Sequence, residues 1–226
     1  MSLRSVVLLS SGLDSTVNFC KALRETEVVL SLTFDYGQRS AVSEISAAAK
    51  ISEKYGINHR IIRLDWLKEM TLTSLVNRSL DIPKLSPAHL DNREITLKSA
   101  AEVWVPNRNG VFIHIAAAIA EVMRVEFIVV GFNAEEAKTF PDNSQEFIDR
   151  VNQSLEFSTL TKPKVICYTA SFNKKEIVQL GRELNAPFEL MWSCYEAGEK
   201  MCGKCESCLR FMRAISDENR ANKIYK

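Results

Sequence analysis

The sequence lacks the long apolar runs and the charge excess that mark membrane proteins and nucleic-acid-binding proteins. No run approaches the ~18 apolar residues that a membrane-spanning helix needs, and the short apolar run at 6–9 is followed at once by polar residues, unlike a secretory signal peptide. Lysine and arginine total 29 against 28 aspartates and glutamates, so the net charge of +1 provides no broad cationic surface. We therefore expect a cytoplasmic protein with no membrane and no nucleic-acid partner.

Low-complexity segments and internal repeats are also absent, and 46% of the 226 residues are hydrophobic. A disordered chain is therefore excluded, and the length suffices for a domain that buries roughly 70% of its unfolded surface. Four of the six cysteines crowd into residues 194–208. In a reducing compartment such crowding favours a metal site over disulfide bonds.

Apolar runs alternate with segments of helical period, which is typical of parallel strands joined by crossover helices. The pattern predicts strands at 5–9, 28–34, 59–64, 127–130 and 164–168. It predicts helices at 14–26, 40–55, 67–75, 110–124, 144–157 and 173–184. The predicted fold is an α/β domain with a doubly wound, five-stranded parallel sheet of Rossmann-like type and a small carboxy-terminal zinc-binding subdomain.

We expect the chain to divide into an α/β part at 1–190 and a cysteine-rich part at 191–226 that ends in a helix. Within the first part, regularity weakens at 65–105, where Pro83 and Pro87 interrupt a polar stretch. A connection of that length is unusual in a compact domain and tends to be functional or mobile. We predict an irregular insertion there, which is also where a partner surface would be sought.

Residues 10–15, with the sequence SSGLDS, connect the first predicted strand to the first predicted helix. Small residues let the backbone approach a ligand, hydroxyls donate hydrogen bonds to phosphate oxygens, and a helix N-terminus attracts anions. The loop has no lysine and a single glycine, so it disfavours a P-loop kinase and a dinucleotide-binding Rossmann enzyme. An ordinary turn in which Asp14 or Ser15 caps the helix explains the same composition.

Polar residues also follow the second and fourth predicted strands, at 35–38 (DYGQ) and 131–134 (GFNA). The carboxyl ends of parallel strands form the ligand crevice of an open α/β sheet. Residues 105–109 (VPNRN) open an alanine-rich helix, where Arg108 can bind a phosphate or a carboxylate through two parallel hydrogen bonds.

Cys194, Cys202, Cys205 and Cys208 form the pattern C-x7-C-x2-C-x2-C. Four thiolates are the number that a closed tetrahedral zinc site needs, and C-x2-C turns place sulfurs at coordinating distance. Thiolate count alone also fits an iron–sulfur cluster, and a redox or sulfur-carrying cysteine pair is a further alternative. We expect structural zinc because no ligand position remains open.

Other polar residues have ordinary explanations. The histidines and cysteines that lie among apolar residues are expected to pack in the core: His59, His114, Cys20 and Cys167. Glu135 and Glu136 are candidates for metal ligands or for a solvated loop. The lysines of the last third of the chain are expected on an ordinary surface: Lys162, Lys164, Lys174 and Lys175.

The loop at 10–15 resembles the pyrophosphate loop of the N-type ATP pyrophosphatases, which have the adenine nucleotide alpha hydrolase type of fold. Together with the segments FDYGQR, VPxRN and GxNA and the four-cysteine tail, it makes residues 6–213 similar to the 7-cyano-7-deazaguanine synthase family. The resemblance implies an ATP-dependent C–N ligase that converts 7-carboxy-7-deazaguanine and ammonia to the nitrile, with Mg²⁺ and Zn²⁺ as cofactors. The carboxylate would be adenylated and captured by ammonia as an amide, which would be activated again and lose its oxygen. Members often pair, so the resemblance also suggests a homodimer.

The resemblance also implies roles for individual residues. The catalytic residues would be Asp14, which would help hold Mg²⁺, together with Arg108 and Asp142. ATP and its pyrophosphate would be bound by Ser10, Ser11, Gly12, Leu13, Asp14, Ser15, Asp35 and Gln38. The substrate would be bound by Arg108, Asn109, Asn133, Phe140 and Asp142. Zinc would be bound by Cys194, Cys202, Cys205 and Cys208.

Three positions depart from the family pattern. Ser11 stands where the family usually has glycine, and a serine restricts the backbone at that position. Ser40 stands where a histidine is common. The stretch 137–144 lacks the usual tyrosine, cysteine and arginine but keeps Asp142, whose carboxylate suits a guanine-like edge. Two alternatives therefore stay open: a tRNA-base modifier that takes sulfur from the cysteines, and an enzyme that joins a deazaguanine acid to a protein amine.

Overall fold

The computed structural model describes residues 3–215, in which strands and helices alternate as predicted. The strands are β1 Arg4–Leu8, β2 Glu27–Asp35, β3 His59–Arg63, β4 Phe127–Val129 and β5 Lys164–Ile166. The helices are α1 Leu13–Glu25, α2 Ala41–Lys54, α3 Asp65–Met70, α4 Arg93–Val103, α5 Arg108–Met123, α6 Gln145–Ser158, α7 Lys174–Glu183 and α8 Glu206–Ile215. Short 3-10 turns lie at Pro87–His89, Glu136–Lys138, Pro141–Asn143 and Phe188–Leu190. Within residues 3–215, no helix combines the length and the apolarity that crossing a bilayer requires.

All five strands run parallel, in the order β3-β2-β1-β4-β5. The apolar strand β1 lies at the centre, where Val6 and Val7 are fully buried. Because crossovers are right-handed, the chain winds from β1 to β3 in one direction and from β4 to β5 in the other, which places helices on both faces. The predicted doubly wound sheet is confirmed. Winding reverses between β1 and β4, so a ligand crevice is expected at the carboxyl ends of these strands.

The segment 65–105 is more regular than predicted. It contains α3, which ends at Met70 rather than near Leu75, and α4, which the sequence pattern did not predict. The helix α4 buries Thr96 and Ser99 among its inward residues, so it lacks the apolar stripe that reveals a helix in a sequence. The Asn92 side chain begins α4 by accepting hydrogen bonds from two N–H groups of the first turn.

The cysteine-rich segment packs against the sheet. Cys194, Cys205 and Cys208 belong to the hydrophobic core that also contains β1, and α8 packs on α7. The backbone N–H of Trp192 donates a hydrogen bond to the Ser11 carbonyl at 2.9 Å, which ties this segment to the loop after β1. The helix α8 begins within the cysteine cluster, and residues 216–226, where the predicted segment ends, lie outside the described residues.

Candidate active site

A cavity of about 260 Å³ opens at the carboxyl ends of β1, β2 and β4. Its walls come from the loop after β1, the start of α5, the segment after β4 and the cysteine-rich segment. The predicted site residues that line it are Ser10, Gly12, Leu13, Asp14, Ser15, Arg108, Asn109, Phe140 and Cys194. Those that lie outside its wall are Ser11, Asp35, Gln38, Asn133, Asp142, Cys202, Cys205 and Cys208.

The loop at 10–15, called the phosphate loop below, leaves the N-terminus of α1 open to the cavity. Helix α1 begins at Leu13, and Gly12 occupies the N-cap position without a side-chain hydrogen bond. Neither Asp14 nor Ser15 therefore caps this helix. The hydroxyls of Ser10 and Ser15 lie 3.0 Å apart on the cavity wall. They face the same space as the first-turn N–H groups, which an α-helix leaves without intrahelical partners, and this is the arrangement that binds anions.

Ser11 is the strained residue of the phosphate loop. Its φ of +64° lies in the left-handed region, which costs a residue with a Cβ roughly 1–2 kcal/mol. Its hydroxyl donates to the Ser10 carbonyl at 2.5 Å, and the residue is fully buried. The Ser11 hydroxyl is therefore hydrogen-bonded inside the loop. Its Cβ imposes the backbone restriction that the sequence analysis predicts at this position.

Lys174 joins the phosphate loop to the segment after β4. Its Nζ lies 2.5 Å from Asp14 Oδ2 and 2.7 Å from Glu136 Oε1. Asn133 Nδ2 also donates to Asp14 Oδ2, at 3.1 Å. The prediction that Lys174 lies on an ordinary surface is wrong, since the residue is 9% exposed and lines the cavity. A lysine in the first turn of a helix is unfavourable for the helix dipole unless carboxylates face it. This signal in the sequence could have identified Lys174 as a site residue.

Two carboxylates share the ammonium of Lys174, so their titrations are linked. Burial raises the pKa of Asp14 to about 6, although Lys174 opposes the shift. Burial acts in the same direction on Glu136, but Lys174 and Arg210 lower the pKa of Glu136 below its usual value. Burial opposes the charge of Lys174, yet the carboxylates raise the pKa of its ammonium. Asp14 Oδ1 has no hydrogen-bond partner within residues 3–215, so one buried oxygen remains available to a cation.

Arg108 forms another wall of the cavity with Tyr36. Its Nη1 donates to the Tyr36 hydroxyl at 3.0 Å, and its guanidinium carbon lies 5.7 Å from the centre of the tyrosine ring. Burial opposes the charge of Arg108, but Tyr36, Asp142 and Glu44 together raise its pKa. A guanidinium held in this way stays charged and keeps donors for a carboxylate or a phosphate.

Asp35 and Gln38 fix the turn that contains Tyr36 from outside the cavity. Asp35 Oδ1 accepts a hydrogen bond at 3.0 Å from the N–H two residues along. The buried Gln38 amide accepts the Tyr36 N–H at 3.0 Å and donates to Glu44 Oε2 at 3.0 Å. Ser40 donates to the other oxygen of Glu44 at 2.5 Å. The structure therefore places Tyr36 and Glu44 on the cavity wall, and the sequence analysis selected their supports instead.

Phe140 and Asn109 line the cavity, and Asp142 lies behind them. The Phe140 ring stacks on Trp104, with 6.1 Å between centroids and 9° between planes. Asn109 Nδ2 donates to the Asp142 carbonyl at 3.2 Å. Burial raises the pKa of the Asp142 carboxyl, although a nearby guanidinium opposes the shift. Asn143 occupies the cavity wall next to it.

The four cysteines fit a single metal ion. Their Sγ atoms all lie within 4.8 Å of one another. Those of Cys202 and Cys208 are 3.9 Å apart, near the ~3.8 Å that tetrahedral Zn–S bonds of about 2.3 Å produce. Backbone N–H groups donate to the sulfurs of Cys194 and Cys202 at 3.3 to 3.4 Å, which stabilises thiolates. Hydrogen bonds from neighbouring thiols lower the pKa of Cys194.

Helix α8 links the cysteines to the segment after β4. Arg210 donates to Glu206 at 2.7 Å and to Glu135 at 3.4 Å. Glu135 also accepts from the Lys174 N–H at 2.9 Å and from Arg213 at 3.2 Å. The alternative of a solvated loop at Glu135 is therefore wrong, because this carboxylate fixes α8 and α7 to the site.

A family model and the curated relatives point to the same family. The family model for queuosine biosynthesis protein QueC matches residues 4–218. A 7-cyano-7-deazaguanine synthase from Pelotomaculum thermopropionicum is 54% identical over 212 residues, 94% of this chain and 96% of the relative. A protein of the same name from Desulforamulus reducens is 51% identical, covering 94% of this chain and 93% of the relative. The solved structure of NMN synthetase from Francisella tularensis is 13% identical, and the match covers 100% of this chain and 87% of the synthetase chain. Its TM-score of 0.48 supports no functional inference.

Proposed function

The chain belongs to the family of queuosine biosynthesis protein QueC, and on this premise we propose that it converts 7-carboxy-7-deazaguanine and ammonia to 7-cyano-7-deazaguanine with consumption of ATP. The observation that carries the proposal is the 54% identity to a synthase of that product over 94% of this chain. The cavity adds support, because it combines an open phosphate loop with a second, guanidinium-bearing wall.

In the proposed reaction, the phosphate loop holds the pyrophosphate of ATP. The Ser10 and Ser15 hydroxyls and the first-turn N–H groups of α1 bind its oxygens, and Lys174 balances the charge that develops as pyrophosphate departs. A substrate carboxylate oxygen attacks the α-phosphorus, so that the bond to pyrophosphate breaks and an acyl adenylate forms. Ammonia then displaces AMP and loses a proton, which leaves the amide.

The same residues serve a second molecule of ATP. The amide oxygen attacks its α-phosphorus, pyrophosphate departs once more into the phosphate loop, and the nitrogen loses one of its two protons. Loss of AMP with the second proton from nitrogen then leaves the nitrile. A single loop suffices because both steps break the same bond of ATP, and the amide remains where the acid was bound. Positioning and charge stabilisation are all that the side chains supply, without a covalent nucleophile.

We propose that Asp14 and Glu136 hold Mg²⁺. The unpartnered Asp14 Oδ1 supports this assignment, since a buried carboxylate oxygen is a suitable ligand for this cation. When bound, the ion would neutralise charge on the pyrophosphate oxygens. Lys174 Nζ contacts both carboxylates, at 2.5 Å and 2.7 Å.

The substrate is proposed to lie between Arg108 and Phe140. Arg108 would bind the carboxylate, and the ring of Phe140, backed by Trp104, would cover the deazapurine. Asn109 and Asp142 would bind its polar edge, with Asp142 turning toward the cavity from the position behind it. Asn133 acts through Asp14, which it touches, so it is a positioning residue rather than a ligand.

The cysteines are proposed to hold Zn²⁺ in a structural role. Their spacing leaves room for one ion rather than for a cluster of several, which favours zinc over iron–sulfur. We also keep the division into parts at 1–190 and 191–226 as a proposal, together with a cytoplasmic location and a homodimer. The exposed apolar side chains of Trp66, Met70 and Leu72, which are 50%, 65% and 76% exposed, support a partner surface in the segment 65–105.

The reaction can be tested by incubating the protein with ATP, Mg²⁺, ammonia and 7-carboxy-7-deazaguanine and by measuring product masses. We expect the nitrile together with two molecules of AMP and two of pyrophosphate for each nitrile. Asp14→Asn should abolish AMP formation, whereas the control Asp149→Asn, on the exposed face of α6, should retain it.

Other products would overturn the proposal in defined ways. An unchanged small molecule with tRNA-dependent pyrophosphate release would favour base modification. A partner protein that gains the mass of the deazaguanine acyl group would favour conjugation. Formation of ADP instead of AMP would exclude the assignment of the phosphate loop.

A further inference from the structure

A second cavity lies behind Lys174, outside the site described above. It is an open cleft of about 940 Å³ between the starts of α4 and α7, the end of α8 and the turn at Glu136–Lys138. Thr139, Lys174 and Arg210 line both this cleft and the central cavity. A wall one residue thick therefore separates the two spaces.

The cleft carries an excess of positive charge. Its basic lining residues are Arg93, Lys138, Lys174, Lys175, Arg210 and Arg213, against the acidic residues Asp91 and Glu135. The carboxylates bind Arg210 and Arg213, and Lys174 binds the carboxylates of the central cavity. Arg93, Lys138 and Lys175 are left with no side-chain partner among residues 3–215.

The helix N-termini beside the cleft are already capped by side chains of this chain. The Asn92 side chain accepts hydrogen bonds from two N–H groups of the first turn of α4, and the Asn173 side chain does the same for α7. The positive potential of the cleft therefore comes from its cations. Three cations without side-chain partners that converge on one cleft attract a multiply charged anion.

The lining also limits the kind of anion. No tyrosine, phenylalanine or tryptophan lines the cleft in the part of the chain that the structure describes. A nucleotide or a single-stranded nucleic acid would gain no stacking there. A small phosphoanion without a base fits the charge of the cleft, and it has no aromatic ring that needs a stacking partner.

We infer that the cleft is a second subsite for inorganic pyrophosphate, which receives the anion as it leaves the phosphate loop past Lys174. The source of the anion rests on the proposed function, whose two activation steps each release one pyrophosphate. The ammonium of Lys174 contacts the phosphate loop on one side and borders the cleft on the other. Departure in this direction keeps the anion near a cation until it meets Arg93, Lys138 and Lys175.

Calorimetric titration of the whole protein with inorganic pyrophosphate tests the inference. We expect two pyrophosphates bound for each chain of the wild type. The variant R93A/K138A/K175A should lose one binding event or weaken it at least about tenfold, and it should retain the other. The control R60A/K50A/K164A removes three exposed cations that do not line the cleft and should retain both binding events. Orthophosphate and AMP should compete for the cleft more weakly than pyrophosphate, because they carry less charge.

A single binding event in the wild type, or two events that survive in R93A/K138A/K175A, would overturn the inference. The single substitution Lys138→Glu, at an exposed position, gives the same test if the triple variant does not fold. Failure of the proposed function is recognised separately. If no nitrile forms but the cleft variant loses one pyrophosphate, the subsite stands and the reaction is wrong; the converse result rejects the subsite alone.

Discussion

The ammonium of Lys174 is shared by Asp14 of the phosphate loop and Glu136 of the segment after β4. It offsets the repulsion between these two carboxylates. A pyrophosphate on the adjacent loop would offer the same cation a stronger anionic partner. The residue can thus exchange one negative partner for another without leaving the cavity wall, which is the behaviour expected of a flexible point charge.

Replacing Lys174 tests this role directly. Lys174→Gln keeps the length of the side chain nearly unchanged but removes the charge that faces departing pyrophosphate. We expect kcat for AMP formation to fall by roughly 10²–10³, with partial recovery in Lys174→Arg. Lys50→Gln, on the exposed surface of α2, is the matched control, and equal rates for K174Q and K50Q would contradict the assignment.

Glu44 should make the free energy of unfolding depend on pH, and the direction of its pKa shift gives the sign. Burial raises the pKa of Glu44 above its ordinary value of 4.5, although hydrogen bonds from Ser40 and Gln38 oppose the shift. The folded protein therefore binds this proton more tightly than the unfolded chain, so the stability from this group is complete below pH 4.5 and is lost as pH rises through the folded pKa. Glu44→Gln should remove this dependence and unfold at higher urea than the wild type near neutral pH. If the advantage of Glu44→Gln over the wild type in free energy of unfolding instead grew as pH falls, the predicted sign would be wrong.

The sequence predicts those site residues whose role depends on local order. Ser10, Asp14 and Ser15 lie on the cavity because a strand and a helix fix the loop between them, and the cysteines converge because their spacing is short. Tyr36 and Glu44 were not predicted, since only the hydrogen bonds of Gln38 reveal which side of its turn faces inward. Long-range pairing, as between Lys174 and Asp14, shows in the local pattern only as a lysine in the first turn of a helix, which does not reveal its partner.

At the scale of elements, burial decides what could be predicted. The five strands were predicted because apolar runs such as Val6–Val7 in β1 are covered on both faces. The helix α4 was missed because its buried face carries Thr96 and Ser99. Ser99 donates to the buried Glu206 of α8 at 2.6 Å, so this face is polar in order to hold α8 in place.

The contact between β4 and α1 depends on Gly131. A Cβ at this position would lie 2.5 Å from the N and Cα atoms of Ser15, which are backbone atoms that cannot move aside. Gly131→Ala should push the start of α1 away from the sheet and destabilise the protein by about 1–3 kcal/mol in urea unfolding. Pyrophosphate binding to the phosphate loop should weaken in the same variant, because its N–H groups are displaced.

A glycine with more room is the control for this change. At Gly198 the nearest atom to an added Cβ is 3.4 Å away, an ordinary contact. Gly198→Ala should therefore keep both the stability and the pyrophosphate affinity of the wild type. Similar losses in the two variants would mean that the packing of α1 against β4 is not the cause.

For the whole molecule, the cavity exists only where distant segments meet. The phosphate loop, the start of α5, the segment after β4 and the cysteine-rich segment each contribute one wall. The buried cysteines belong to the hydrophobic core that contains the sheet. The backbone N–H of Trp192 donates a hydrogen bond to the Ser11 carbonyl in the phosphate loop. A metal ion at the cysteines would therefore stabilise the crevice together with its own segment.

Metal removal should consequently affect the entire fold in one step. Without an ion, the three buried cysteines and the exposed Cys202 lose the bonds that hold them together, and the core that they close opens. A chelator or Cys205→Ser should therefore lower the midpoint of a single thermal transition. A loss of about 3 kcal/mol corresponds to a decrease in Tm of roughly 6–12 °C. Cys167→Ser, which alters a thiol outside the cluster, should keep both the metal and the Tm. Two separate calorimetric transitions, of which only the smaller responds to the chelator, would mean that the cysteine-rich segment folds independently and that the crevice does not depend on its metal.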